Sequence, residues 1–381
     1  MRLQRRVWGT SFMKRTISNI LYAEKRPRTE RSKFPNQISV LKYLLASCLG
    51  GVLYSEWFAY KIQPLFWKNL QCQSEQSCTK ILFIADPQIQ GELAVPPPLS
   101  YLFNWDSDRY LKSTFSIVEN YFRPDILVYL GDLMDEGSIS TRAQFHGYVK
   151  RLSEIFDSRY PVVQVWIPGD NDIGGENEPI KHDKIEEFRT VYSQPNVIVF
   201  KNISFYKVST ITYSVPQPLE NDLNFKIAIS HYPVIERTAY AKKVIDSIHP
   251  DIFFCAHEHK SKYVKFKRDY ASKETHLLSY NDPVLSISFD NNWLYEIYVP
   301  TCSYRMGTSK IGYGAAVVEK NNQQLKYTVF WSPARFPYLF FYLLMLVILI
   351  GYTLLCCFIR ILSKLSNIVK TEDKQFLLQH T

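Results

Sequence analysis

The sequence predicts an α/β fold: a two-sheet sandwich flanked by helices, set between two apolar segments that cross a membrane. Three observations carry this prediction. Five short apolar runs each end in a polar cluster, alternating with helix-spaced stretches in the first two thirds of the chain. After Lys260 the pattern turns strand-like, with runs at 277–278, 294–299, 314–318 and 324–331. Long apolar stretches lie near both ends.

The central run is Asp125-Ile126-Leu127-Val128-Tyr129-Leu130, followed by Gly131-Asp132-Leu133-Met134-Asp135. It places a carboxylate at the carboxyl end of a buried strand, where open α/β sheets collect ligands. Such a group can hold a divalent metal or bridge two, although a Gly-Asp pair after a strand is as often a plain polar turn. Four further runs narrow the choice: Ile81-Leu82-Phe83-Ile84 before Asp86-Pro87-Gln88, Val162 to Ile167 before Gly169-Asp170-Asn171-Asp172, Ile227-Ala228-Ile229 before His231-Tyr232-Pro233, and Ile252-Phe253-Phe254-Cys255 before His257-Glu258-His259. Carboxylate and imidazole ligands in this mix suit a two-metal site.

Helical spacing predicts helices over 108–122, 140–156, 183–192 and 239–248, while 92–107, with its three consecutive prolines, reads as a long loop beside the first ligand strand. The formal charge of +9 is uneven: residues 1–36 carry +8 and 360–381 carry +2, leaving −1 for the 323 residues between. That near-neutral middle argues against a nucleic-acid-binding body and points to membrane topology. Residues 337–359 contain no charge, and about 20 apolar residues span a bilayer as a helix. The earlier segment, 38–60, includes Lys42 and Glu56; a signal anchor is favoured there over a cleaved signal peptide.

The expected organisation is a basic cytosolic tail (1–37), a transmembrane anchor (38–60), a luminal domain (61–335), a second transmembrane helix (336–359) and a cytosolic tail (360–381). The sequon at Asn202 and the four cysteines of the central region, Cys72, Cys78, Cys255 and Cys302, agree with a lumen; Cys72 and Cys78 are near enough in sequence to pair, and Cys255 is read as a buried thiol. Cys356 and Cys357 are either lipid-facing or acylated.

In order and content the five blocks resemble the calcineurin-like metallophosphoesterases. Asp86-Pro87-Gln88 and the Gly169-Asp170-Asn171-Asp172-Ile173-Gly174 stretch are similar to the fungal branch of the GPI-glycan remodelling phosphodiesterases. The resemblance implies a four-layer α/β/β/α sandwich with a dinuclear centre, one metal on Asp86, Gln88, Asp132 and His259, the other on Asp132, Asp170, His231 and His257. Asp135 then orients a ligand. The implied cations are two divalent ions, Mn²⁺ or alternatively Zn²⁺. The implied reaction removes ethanolamine phosphate from a mannose of the GPI anchor. Partners would be GPI-anchored glycoproteins, the endoplasmic reticulum membrane (or that of the Golgi) and cargo receptors of early export, with no nucleic acid.

Three positions depart from the family pattern. Gln88 stands for histidine, Asp170 for asparagine, and Asn171 for the histidine that assists the leaving group; Asn171 can donate a hydrogen bond but no proton. Substitute acids would be His146 or His182, each more simply an ordinary surface histidine. The departures leave two competing readings open: a catalytically weak glycan-binding module that helps sort cargo, and a luminal phosphatase for other phosphoesters.

Overall fold

The computed structural model describes residues 37–72, 78–93, 95–268, 272–289, 292–319 and 324–379. The basic tail expected at 1–37 lies outside them except for its last residue. The chain divides into two compact units: Gly51–Met345, and the ends Met1–Gly50 with Leu346–Thr381, whose described residues are helical.

The larger unit holds two sheets. The first has the order β10-β13-β12-β1-β2-β3, with β1 (Cys78–Ile84), β2 (Ile126–Tyr129), β3 (Val163–Trp166), β10 (Leu285–Ser288), β12 (Gly312–Glu319) and β13 (Gln324–Trp331). The second runs β4-β5-β6-β7-β11-β8-β9, from β4 (Val197–Phe200), β5 (Ile203–Lys207), β6 (Phe225–Ile229) and β7 (Ile252–Cys255) to β11 (Trp293–Tyr298), β8 (Lys262–Lys267) and β9 (Lys273–Leu277). Strands β1, β2 and β3 are mutually parallel, as are β5, β6, β7 and β11. Continuous apolar runs such as Ile126-Leu127-Val128-Tyr129 follow from burial on both faces.

An apolar layer between the sheets includes Phe83 stacked on Phe254, ring centroids 4.0 Å apart. A second core joins the first sheet to α2 (Leu99–Phe122) and α3 (Arg142–Ile155), and a third joins the second sheet to α6 (Thr238–Ile248). Helix, sheet, sheet and helix therefore stack in the expected layers. Helix α3 opens on a capping box, Thr141 with Gln144. The short α4 (Asp170–Ile173) and α5 (His182–Val191) follow β3. Cys72 and Cys78 form a disulfide, while Cys255 and Cys302 are buried thiols.

One expectation needs correction. The stretch 92–107 is not all loop: α2 begins at Leu99, nine residues before the expected start at 108. Its first turns expose Leu99, Tyr101, Leu102, Phe103 and Trp105 and turn Ser100 and Asn104 inward, the inverse of the apolar-inward stripe by which such a helix is read. The C-terminal helix α7 (Phe336–Gln379) continues beyond residue 359 through the segment assigned to a tail. Within it, Phe336–Leu365 is long and apolar enough to cross a membrane, and no other helix among the described residues is. The earlier helix α1 (Gln37–Leu53) has 17 residues and passes through a π turn, Tyr54–Phe58, into Ala59–Lys61; a second spanning helix is not established.

Candidate metal centre

The carboxyl ends of β1, β2, β3, β6 and β7 converge and deliver Asp86, Asp132, Asp170, His231 and His257 to one place, with Gln88 and His259 on the adjoining loops. Two sets of ligand atoms lie within 4.8 Å of one another: Asp132, Asp170, His231 and His257 form one, and Asp86, Asp132 and His259 the other. Asp132 belongs to both. The structure thus brings together the carboxylates and imidazoles named for each metal, and Gln88 lies beside them, its Nε2 donating to Asp132 Oδ2 at 2.9 Å and standing 3.4 Å from His259 Nε2.

The backbone is bent to reach this arrangement. Asp86, Gln88, Asp132, His257 and His259 all have positive φ, between 40° and 68°. Non-glycine residues seldom adopt that region, and such strain persists where the surroundings impose it, commonly at functional sites. The turn needs two glycines. Gly131 has φ +88°, and a Cβ there would stand 2.8 Å from His231 Nδ1; a Cβ on Gly169 would collide with Asp132.

The electrostatics favour a cation. Burial lifts the Asp86 carboxyl well above its ordinary value, with Asp132 and Asp170 adding to that against the opposing His231. Burial likewise raises Asp132. Burial would lower His231, but Asp132, Asp170 and Asp86 overcome it and hold the imidazole at about 10. His259 is lowered to about 4 by burial and by the two other histidines. Asp86 Oδ2 is buried with no hydrogen-bond partner. Buried carboxylates with an orphaned oxygen fit divalent cations, which supply the missing positive charge.

The Leu130 carbonyl orients His231 so that a cation could take the place of its Nε2 proton. Its Nδ1 donates to the Leu130 carbonyl at 2.8 Å, leaving Nε2 to face Asp170 Oδ1 at 3.0 Å and Asp132 Oδ1 at 3.3 Å. His257 Nδ1 lies 3.3 Å from Asp170 Oδ1. Asn171 turns towards Asp132: its backbone N–H donates to Oδ1 and its side-chain amide to Oδ2, both at 3.0 Å. His146 and His182 are exposed on α3 and α5 and belong to neither ligand set.

Two supporting residues had no role in the sequence reading. Asp172 is fully buried and accepts the backbone N–H groups of Gly169, Leu133 and Met134 at 2.8, 3.1 and 3.0 Å, tying the second block to the third. Its position two residues after Asp170 was the available signal. Arg305 donates to Asp135 Oδ2 at 2.7 Å and to the Gln88 carbonyl at 2.8 Å, so Asp135 acts on the Gln88 loop through an arginine 170 residues away.

Residues 79–261 match the calcineurin-like phosphoesterase family. Proteins called Metallophosphoesterase 1 are similar over part of the chain. The one from Pongo abelii is 27% identical over 181 residues, 45% of this chain and 44% of its own length. Those from Danio rerio and Cricetulus griseus are 24% identical over 172 residues and 25% identical over 194, covering 44% and 49% of this chain and 44% and 48% of their own lengths. Less than half of each relative is therefore matched. A metallophosphoesterase structure from Sphaerobacter thermophilus aligns with a TM-score of 0.36 at 15% identity, over 66% of this chain and 88% of that one.

Proposed function

We propose, from the match of residues 79–261 to the calcineurin-like phosphoesterase family, that this chain is a membrane-anchored phosphodiesterase that removes ethanolamine phosphate from a mannose of the GPI glycan. The observation that carries the hydrolase reading is the sharing of Asp132 between two ligand sets. A single carboxylate common to both is what a dinuclear phosphoesterase centre requires. Asp86, Asp132 and His259 would hold one cation, with Gln88 as a weaker neutral neighbour; Asp132, Asp170, His231 and His257 would hold the other. When bound, such cations supply Lewis acidity and a water nucleophile at neutral pH.

The protein's own groups do the positioning. Leu130 orients His231, Asp172 fixes the two ligand turns against each other, and Asn171 holds the shared carboxylate. No histidine occupies position 171, so proton help to the departing sugar hydroxyl is weak there. The GPI glycan as substrate rests on the resemblance of the Asp-Pro-Gln and Gly-Asp-Asn-Asp blocks. The apolar helix at Phe336–Leu365 supports it by keeping the domain beside lipid-linked substrates. A lumen-facing domain in the endoplasmic reticulum, with both charged tails cytosolic, completes the reading. A cargo-sorting module is the second reading, favoured by Gln88 and Asn171.

Mass spectrometry of GPI glycans from cells with and without this chain tests the proposal. Retention of one extra ethanolamine phosphate on a mannose in its absence is the expected result. Unchanged glycans with delayed export of GPI-anchored cargo would instead support the sorting module.

A further inference from the structure

A cluster of four charges marks one level of the larger unit. Arg335, only 2% exposed, makes a two-pronged ion pair with Asp106 and a second pair with Glu56 at 2.8 Å. Arg109 pairs with the same Glu56 and lies 3.3 Å from Asp106. Tyr304 and Tyr342 donate to Asp106 and Glu56. Arg335 immediately precedes α7, so this cluster sits at the foot of the apolar helix.

The direction of α2 relative to that helix follows from ring contacts. Tyr60 meets Tyr110, and Trp67 meets Tyr121, with centroids 6.0 and 5.1 Å apart. The chain from Glu56 to Trp67 therefore climbs beside α2 from Arg109 to Tyr121, away from the cluster. On the other side of the cluster, Tyr54 meets Tyr338 at 6.2 Å, and Ser55 and Gly51 lie against Tyr342 and Phe341. The turns of α2 before Asp106 thus descend on the side where α7 begins. At 1.5 Å per residue, 99–105 reach about 10 Å beyond the cluster.

These turns are not built for water. Leu99, Tyr101, Leu102, Phe103 and Trp105 are between 45% and 63% exposed. At 100° per residue they point all round the axis except where Ser100, fully buried, and Asn104 face the protein. One docked helix would cover a stripe about 100° wide; the apolar residues here spread over roughly 200°, opposite Ser100 and Asn104, and so broad an apolar face suits immersion in lipid. Tyr101 and Trp105 have the amphipathic rings found at bilayer interfaces, and Arg109 lies over Trp105, 4.9 Å from its ring. Trp57 and Phe58, beside Glu56, are half exposed at the level of the cluster.

We propose that the first two turns of α2, Leu99–Trp105, are an interfacial membrane anchor, immersed in the headgroup and upper acyl layer beside α7, with the Asp106–Arg335–Glu56–Arg109 cluster as its hinge point at the lipid boundary. This rests on the reading of Phe336–Leu365 as membrane-spanning. The occupant is phospholipid, because the surface is continuous with the start of that helix. Since α2 follows directly on the loop from Gln88, the anchor also ties the candidate metal centre to the membrane surface.

The test is photo-crosslinking of the full chain in phospholipid nanodiscs, with a benzophenone amino acid placed in turn at Leu102, at Ile350 in α7 and at Leu223, an exposed leucine of the β5–β6 loop. Mass spectrometry is expected to find phospholipid adducts at 102 and 350 and none at 223. Adducts at 350 but not at 102, with metal content intact, would overturn the anchor alone. Adducts at neither would overturn the membrane-spanning reading with it. A protein adduct at 102 in place of lipid, when the nanodiscs are prepared from cell membranes, would show a protein-docking tip and also overturn the proposal.

Discussion

The side-chain amide of Asn171 donates to Asp132 Oδ2 at 3.0 Å, so the residue standing where the resembled family has its leaving-group histidine holds the carboxylate common to both ligand sets. Asp170, one residue earlier, adds a carboxylate to the same ligand set. An extra anion on a metal lessens the positive charge that acidifies its water, and an amide cannot protonate a leaving group. The double change Asp170→Asn with Asn171→His should therefore raise turnover on a sugar–ethanolamine phosphate by up to roughly 10²-fold, and on an activated aryl phosphodiester by much less. The ratio of the two gains, measured at saturating metal, is the readout. Equal gains would place the effect in metal affinity or folding.

The shared position of Asp132 makes a stoichiometric prediction. Asp132→Ala should lose both cations, because both ligand sets include it. Gln88→Ala should weaken one only, since Gln88 approaches Asp132 and His259 but not the other histidines. Plasma emission on the purified protein counts the metal. Full occupancy in the Asp132 variant would overturn the assignment.

Asp172 supports the site without belonging to either ligand set. It takes three backbone N–H groups on two oxygens. In Asp172→Asn one of those oxygens becomes an NH₂ group that cannot accept, and at least one buried donor is orphaned at about 1–3 kcal/mol. The denaturation midpoint should fall, and metal affinity should fall with it as the turns at Asp132 and Asp170 lose register. A variant with unchanged affinity would show that the turns hold without this tie.

Much of this site could be read from the chain because strand ends are local. An apolar run followed by Gly131-Asp132, or Ala256-His257, announces both the strand and the ligand, and parallel packing brings the ends together. What could not be read depends on distant partners or on conformation. The left-handed backbone of Asp86, Gln88 and His259 is imposed by packing; Asp and His tolerate that region better than most residues, but too weakly to announce it from the sequence. Arg305 and Arg335 find their partners 170 and 229 residues away. The start of α2 was hidden for another reason: Leu99, Tyr101, Leu102, Phe103 and Trp105 face outward while the polar Ser100 and Asn104 face the protein, the inverse of the apolar-inward pattern that announces a helix.

Glu296 gives a prediction in pH. It is fully buried on β11 and accepts Val234 N–H at 2.6 Å and Ile235 N–H at 3.3 Å, steadying the turn that follows His231. Burial pushes its carboxyl up to about 7, more than these two N–H groups pull it down. Between the ordinary carboxyl value, 4.5, and about 7, the folded chain holds this proton and the unfolded chain does not. Glu296's contribution is therefore full below 4.5, falls as pH rises through the window and levels off above 7, a loss on the order of 3 kcal/mol. Glu296→Gln keeps one acceptor oxygen for Val234 and Ile235 and has no proton to lose. Urea denaturation of both forms from pH 4.5 to 8 should give similar stabilities at the acid end and a growing advantage for the variant towards pH 8. Taking the difference between the two cancels the titrating groups that do not interact with Glu296; Glu236 and Tyr298 do interact with it. A constant penalty for the variant across the range would show that Glu296 stays ionised and that its charge, held by the two N–H groups, is what fixes the turn.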